Sequence, residues 1–439
     1  RNQLRRWLEN EIGFGKFIFR MPDQSKITEA KTLIGFLNCL MSIPAISLKY
    51  HFSNGHIENW LNTHAEVALT MYIKRFHTIQ DPEELRTRLV EAFQSLIAYR
   101  RREKIQDWNE ESNFRISLIY KVGEDSIGGK GRGLAFLNVV LNRYSNICDK
   151  YPNVNILVPV AAVLATGEYD KLMHSNPTLT NFEDMTDEEI DLAFYHSVFP
   201  DSTIRILEQI IAQTDFPLAI RSSSVLEDSI TNPFAGIFRT FLIPNSHANR
   251  DVRLEQLIKA VKLVYASMHL KNARVYRESL HLPSREEKMA IIIQKVAGSL
   301  HGDFYYPLVS GVAQSYNYYP GTNMSHEEGV VSLSTGLGKT AVERERTFAF
   351  CPAHSNKDMF TPVDIVTNAQ RHLYAIALDK TDFDLLKGED ASLERLRISQ
   401  KICENELVDL TSVWDYENKQ FISGKYASGP RVVTYRDIL

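Results

Sequence analysis

Two short segments carry residue types suited to holding an anion. In Pro217-Leu218-Ala219-Ile220-Arg221-Ser222-Ser223-Ser224 an apolar run delivers an arginine and three hydroxyls, and Phe234-Ala235-Gly236-Ile237-Phe238-Arg239-Thr240 follows closely. Leu218, Ala219 and Ile220 predict a buried strand, so Arg221 is expected to leave its end with a planar, permanently charged fork matched to phosphate oxygens. Ser222 and its neighbours add hydroxyl donors. Gly236 offers a backbone without a Cβ that a ligand can approach closely, and Thr240 a further hydroxyl. The second segment is Ser126-Ile127-Gly128-Gly129-Lys130-Gly131-Arg132-Gly133-Leu134. Leu134, Leu137, Val140 and Leu141 recur at helical spacing after it, which puts Gly128, Gly129 and Lys130 at a helix N-terminus. Free N–H groups and the helix dipole favour an anion there, and a lysine adds a movable point charge. The spacing is not the Walker pattern, and no dinucleotide fingerprint fits. Serines after an arginine also cap helices, and a glycine turn can carry a solvated lysine, so each segment alone leaves the plainer reading open.

Read together and in order, these segments resemble the nucleotide-binding region of the phosphoenolpyruvate synthase and pyruvate phosphate dikinase family. Further segments extend the likeness: Val158-Pro159-Val160 to Thr166, Ala273-Arg274-Val275-Tyr276-Arg277, Ile291-Ile292-Ile293-Gln294, Ser310-Gly311-Val312-Ala313 and Gly336-Leu337-Gly338, so that it spans roughly residues 117 to 350. The resemblance implies an α+β, ATP-grasp-like, two-lobed nucleotide-binding domain. It implies that Lys130 and Arg221 act on the ATP phosphates, that Gly128, Gly129, Ser222, Gly236 and Thr240 lie against them, and that Gln294 meets the adenine side. ATP and Mg2+ are the implied cofactors. The implied partners are pyruvate and a phosphocarrier histidine domain, in a reaction converting ATP, pyruvate and water to phosphoenolpyruvate, AMP and phosphate. A homodimer is compatible with it. Phosphoryl transfer demands cations where charge spreads in the transition state. One charge pair at about 4 Å and an effective dielectric near 20 is worth roughly 4 kcal/mol.

Departures from the family pattern are equally specific. Lys339 stands where an acid is usual, and Gln314-Ser315 replaces the usual Phe-Thr or Phe-Ser. The Asp-x-Glu strand with its following Leu-Gln-x-Arg-Pro is not found; Glu404-Asn405-Glu406 is the nearest acidic pair, so the metal ligands stay unassigned. The chain is therefore expected to be a fragment truncated before that strand. Gly321-Thr322-Asn323-Met324-Ser325-His326 looks in passing like the phosphocarrier segment, but Glu327 and Glu328 follow, and a solvated loop histidine is the expectation. Two other readings remain open: a related dikinase with a different acceptor, or a nucleotide-sensing or interaction module without turnover, which Lys339 favours.

The elements that would position these residues fall into three expected segments: a helical accessory domain over 1–112, a first lobe over 113–245 and a second lobe with a C-terminal extension over 246–439. In the first, Asp81-Pro82-Glu83-Glu84 starts a helix whose Leu85, Leu89, Val90, Phe93, Leu96 and Ile97 share one face and which runs into Arg100-Arg101-Arg102. His56, Trp60 and His64 share helical spacing, with His51 and Glu66 nearby, which is either packing or a metal set. A strand over 114–120, a helix capped at Thr186, a long helix over Arg253–Leu280, a strand at Leu373–Ala377, a helix from Leu385 through Leu396 and a loop-like tail from Lys419 to Arg431 complete the reading. The net charge of -4 over 439 residues gives no basis for a nucleic-acid-binding surface. Cys39, Cys148, Cys351 and Cys403 are too scattered for a zinc pattern and too few for a disulfide framework, which suits a reducing cytoplasm, and no apolar run is long enough for a membrane span.

Overall fold

The computed structural model describes residues 15–439 except 65, 102–104, 111, 115–118, 144–153, 225–235, 280–286, 322–323, 343–346, 356–360, 423–426 and 437. Helices and mixed sheets alternate along it, so the fold class is α+β. The chain divides into two compact units, each assembled from separate stretches. One comprises Arg1–Thr214, Arg221–Phe238 and Tyr265–Gln294, the other Asp215–Ile220, Arg239–Val264 and Lys295–Leu439.

In the first unit, the N-terminal part is helical but begins with an antiparallel hairpin, Phe17–Arg20 with Lys26–Ala30. The sequence reading missed this hairpin because its strands are short and its turn is set by Gln24 at φ 71° rather than by an Asn-Gly pair. Phe17, Phe19, Phe36, Trp60 and Phe93 are buried together, with Phe36 stacked on Trp60 and on Phe93. The helix Pro82–Arg101 supplies Phe93, and the Asp81 carboxylate accepts the Glu84 N–H at 3.0 Å, as its cap sequence requires. The side chains of Arg100, Arg101 and Arg102 lie outside the described residues.

A mixed sheet follows in the same unit. Gln106–Asp107, Ile119–Val122 and Ala161–Leu164 run parallel, and Met289–Lys295 pairs antiparallel to the last, with Ala161 opposite Gln294 and Leu164 opposite Ile291. Leu218–Ser224 lies beside Met289–Lys295. Ile119, Ala161, Val163, Ala290 and Ile292 form its core with Ile127, and Leu134 packs on them. This burial explains the near-continuous apolar runs of those strands. Most of the strand expected over 114–120 lies outside the described residues; Ile119 and Tyr120 begin the observed one. Helix Asp187–His196 has the capping box expected at Thr186 and Glu189.

The long helix expected over Arg253–Leu280 is two helices, Arg250–Ser267 and Lys271–Ser279. The break is built by tertiary contacts. His269 packs against both Phe182 and Phe194, which also contact each other, and the Asp187 carboxylate accepts the Lys271 N–H at 2.8 Å, providing a cap from a distant segment.

The second unit holds antiparallel sheets: Leu393–Arg397, His372–Ala377, Phe304–Tyr306 and Ser299–His301 in one, Ser310–Gln314, Val330–Ser334 and Phe348–Phe350 in another, and Gln420–Ile422, Thr411–Asp415 and Arg431–Val433 in a third. Leu337, Leu373, Ala375 and Ile376 anchor one core, and Leu407, Leu410, Val433 and Tyr435 another. The helix expected from Leu385 through Leu396 is instead a single turn, Leu385–Lys387, followed by a strand. Gly388 at φ 106° breaks it, and Leu393 pairs with Ile376. The tail expected as loop contributes two strands, because Arg431–Val433 and Gln420–Ile422 flank Thr411–Asp415 on both edges.

Candidate functional site

The glycine turn and the serine strand meet within the first unit. Helix Gly128–Arg143 starts at Gly128, whose φ is 71°. A Cβ built on Gly128 would stand 1.7 Å from the Ser223 carbonyl oxygen. Glycine is thus required twice, by conformation and by the closeness of the strand. Ser223 is the clasp: its hydroxyl donates to the Ile127 carbonyl at 2.8 Å and accepts the Gly131 N–H at 2.9 Å. The Gly128 N–H goes to Ser126 Oγ at 3.1 Å. Two of the N–H groups that a helix start leaves open are therefore satisfied by serines on either side.

Lys130, in the first turn of this helix, sends its ammonium to within 3.4 Å of Ser222 Oγ. Arg221 does not leave the end of a strand as expected. The strand runs on through Leu218–Ser224, and Arg221 lies within it, half-buried. The reason is that the serines are fully buried strand residues rather than loop donors. Each hydroxyl finds a protein partner, Ser222 at Lys130, Ser223 at the helix turn, and Ser224 at Glu287 Oε1 at 2.8 Å. By the pleat Arg221 shares a face with Ser223, whereas Ser222, which the Lys130 ammonium reaches, lies on the other face with Ser224, so these contacts do not by themselves bring the two charges together.

Glu287 ties the strand end to the helix Lys271–Ser279 through Arg277 Nη1 at 2.7 Å, with side chains only 6% and 2% exposed for Arg277 and Glu287. Sequence reasoning took Ser223 only as one of three hydroxyl donors for a ligand and assigned no role to Glu287. Arg277 was visible only as part of a family-like segment, and its partner is set by tertiary structure.

The other expected site residues are placed differently. Gln294 is buried, and its amide donates to the Pro159 carbonyl at 3.3 Å, holding the segment that leads into Ala161–Leu164. Gly236 occupies a turn at φ 77° with open space around its Cα, so conformation rather than a close protein neighbour explains it. Phe234 and Ala235 lie outside the described residues. Thr240 belongs to the second unit, where its N–H donates to the Glu389 carboxylate. Beside it in sequence, Asp390 takes the ammonium of Lys339, which also lies 5.3 Å from the Tyr374 ring centre. The charge reversal at position 339 thus comes with its own counter-charge.

Among the described residues, no group of three or more His, Cys, Asp or Glu side chains is arranged to hold a metal ion. Glu287, the carboxylate at the serine strand, already holds Ser224 and Arg277. In the N-terminal part, His51 Nε2 accepts the Arg20 N–H at 2.7 Å and its Nδ1 lies 3.1 Å from His56 Nδ1, while His64 Nδ1 faces the Trp60 carbonyl at 2.9 Å. Burial, with His56 beside it, pushes His51 down to about 4. Glu406 is engaged by the Tyr306 hydroxyl and His301 rather than paired with Glu404. His326 is an exposed residue that opens a short turn and donates from Nδ1 to the Asn317 carbonyl at 2.6 Å. No helix among the described residues is long and apolar enough to cross a membrane.

The first unit is thus an α+β frame in which a helix start is clasped onto a cation-bearing strand. The chain belongs to the family of the pyruvate phosphate dikinase AMP/ATP-binding domain, whose model matches residues 124–400, more than half of its length. The match takes in the glycine turn, the serine strand and the Gln294 strand. It leaves out the N-terminal helical part. No curated protein matches the chain.

Proposed function

We propose that this chain binds ATP with the polyphosphate against the Gly128–Gly129–Lys130 turn and the Arg221–Ser222 stretch of the serine strand, as the nucleotide-binding part of a phosphotransferase resembling phosphoenolpyruvate synthase. The observation that supports this most is the Ser223 clasp, which fixes the two cation-bearing elements to each other before any ligand arrives. Phosphoryl transfer needs cations placed where charge develops on the transferring group. Lys130 supplies a point charge at a helix start and Arg221 a bidentate fork. Gly236 extends the phosphate contacts, and Gln294 serves the adenine side. In this reading ATP passes its group to a phosphocarrier histidine domain and then to pyruvate, yielding phosphoenolpyruvate, AMP and phosphate. Mg2+ accompanies the nucleotide, held largely by the phosphates, since among the described residues no group of three or more His, Cys, Asp or Glu is arranged for a metal.

A second reading, a nucleotide-sensing module without turnover, draws on the Lys339–Asp390 pair, which puts a neutralised cation where the family has an acid. Both readings require the polyphosphate grip. Titrating ATP and adenosine separately into the full chain tests it: ATP should bind at least a hundredfold more tightly, and equal affinities would remove the phosphate site from the account.

A further inference from the structure

Away from that site, the second unit carries a serine hydrogen-bonded to a histidine whose other ring nitrogen lies at ion-pair distance from a carboxylate. The edge strand Ser299–His301 turns through Gly302, at φ 62°, into Phe304–Tyr306, with Tyr306 opposite Ser299 and Phe304 opposite His301. Alternation places Ser299, His301 and Tyr306 on one face of the hairpin. Ser299 Oγ is 2.9 Å from His301 Nε2, and Nδ1 of the same ring is 3.3 Å from Glu406 Oε2. With the proton on Nδ1, the nitrogen nearer Glu406, Nε2 presents its lone pair to the serine hydroxyl.

The ring is held from three sides. It stacks on Tyr306 at 4.1 Å between centroids and 19° between planes, and the Tyr306 hydroxyl donates to the same Glu406 oxygen. Glu406 is itself fixed at the end of helix Gln400–Asn405, where its N–H donates to the Ile402 carbonyl at 2.9 Å. Ser299 is exposed while the His301 side chain is only 13% exposed, so the nucleophile faces solvent and the base behind it is sheltered. A histidine that merely closed a hairpin would need neither the carboxylate on its far nitrogen nor a tyrosine orienting that carboxylate.

We propose that Ser299, His301 and Glu406 form a second chemical site, an activated serine that hydrolyses small, unhindered esters. Ser299 Oγ attacks the ester carbonyl carbon as its proton moves to His301 Nε2. The carbon–oxygen bond to the alcohol breaks, and the departing alkoxide takes that proton. Water then gives a proton to Nε2 and attacks the acyl carbon; the acid leaves and Ser299 Oγ recovers the proton. Glu406 and Tyr306 act as positioning residues that keep the tautomer and the ring plane.

A fluorophosphonate probe applied to the full chain, followed by peptide mapping, tests this. Ser299 should carry the adduct, Ser299→Ala should lose it, and His301→Gln should slow labelling at least tenfold. Glu406→Gln should slow it while moving the pH profile of the labelling rate, which a purely structural role would not do. Ser299→Cys, assayed by iodoacetamide alkylation with and without His301→Gln, guards against misfolding of the alanine variant: the thiol should react at least tenfold faster with the histidine present. An adduct confined to other residues, or equal rates with and without His301, would overturn the proposal.

Discussion

Gly128 is the residue on which the candidate site turns. Its neighbours dictate both its conformation and the space it leaves, since an added methyl would fall 1.7 Å from a backbone oxygen that cannot swing aside. Overpacking and a forced left-handed conformation add in the same direction, so Gly128→Ala should cost about 2–4 kcal/mol. Gly133 lies in the same helix with nothing within 4 Å of an added Cβ. There the change to alanine should gain roughly 0.5–1 kcal/mol through helix propensity. Chemical denaturation of the two variants checks the contrast; equal effects would mean that the clasp does not hold the turn. The buried Arg277–Glu287 pair shows the same dependence on position. Removing one partner of such a pair leaves an uncompensated charge, whereas an exposed pair such as Arg88 and Glu91 contributes little.

Among elements, the break between the helices Arg250–Ser267 and Lys271–Ser279 has the clearest consequence. His269 at this break is packed against Phe182 and shares a hydrogen bond with the Tyr169 hydroxyl, 2.9 Å from its Nε2. Burial, helped by Arg277 and Arg274, pushes it down to about 3. The unfolded chain therefore takes up a proton near pH 6.5 that the folded chain refuses. Stability from this group is complete above about pH 6.5 and declines as the pH falls toward 3, by at most about 1.4 kcal/mol per pH unit. His269→Phe should flatten the dependence of melting temperature on pH between 6.5 and 4; an unchanged slope would place the titration elsewhere.

The same break shows what the sequence makes legible. Caps at Asp81 and Thr186 are readable because donor and acceptor lie three residues apart. The apolar strands through Ala161–Leu164 and Met289–Lys295 are readable from burial. The end of helix Arg250–Ser267 is not, because its signals come from Asp187 and the rings around His269, far away in the chain. Likewise Lys130 and Arg221 stand out by type, whereas the strand's continuation to Ser224 depends on hydroxyl partners at Ile127 and Glu287 that no local pattern announces. Gly388 is a breaker visible in the sequence, and the periodicity of Leu385–Leu396 conceals it.

For the whole molecule, the family match over residues 124–400 carries the nucleotide-binding assignment, while the N-terminal helical part stands outside it. The chain visits each compact unit more than once, so the site-bearing segments of the first unit come from stretches separated by parts of the second. The serine strand and Glu287 belong to different stretches of that unit, and the Ser224–Glu287–Arg277 contacts join them. The proposed nucleotide grip has Lys130 and Arg221 on one polyphosphate. Calorimetric titration of ATP into the full chain and into its Lys130→Ala and Arg221→Ala variants tests it most directly. Each variant should bind ATP at least tenfold more weakly while melting like the parent; unchanged affinity in both would contradict the account.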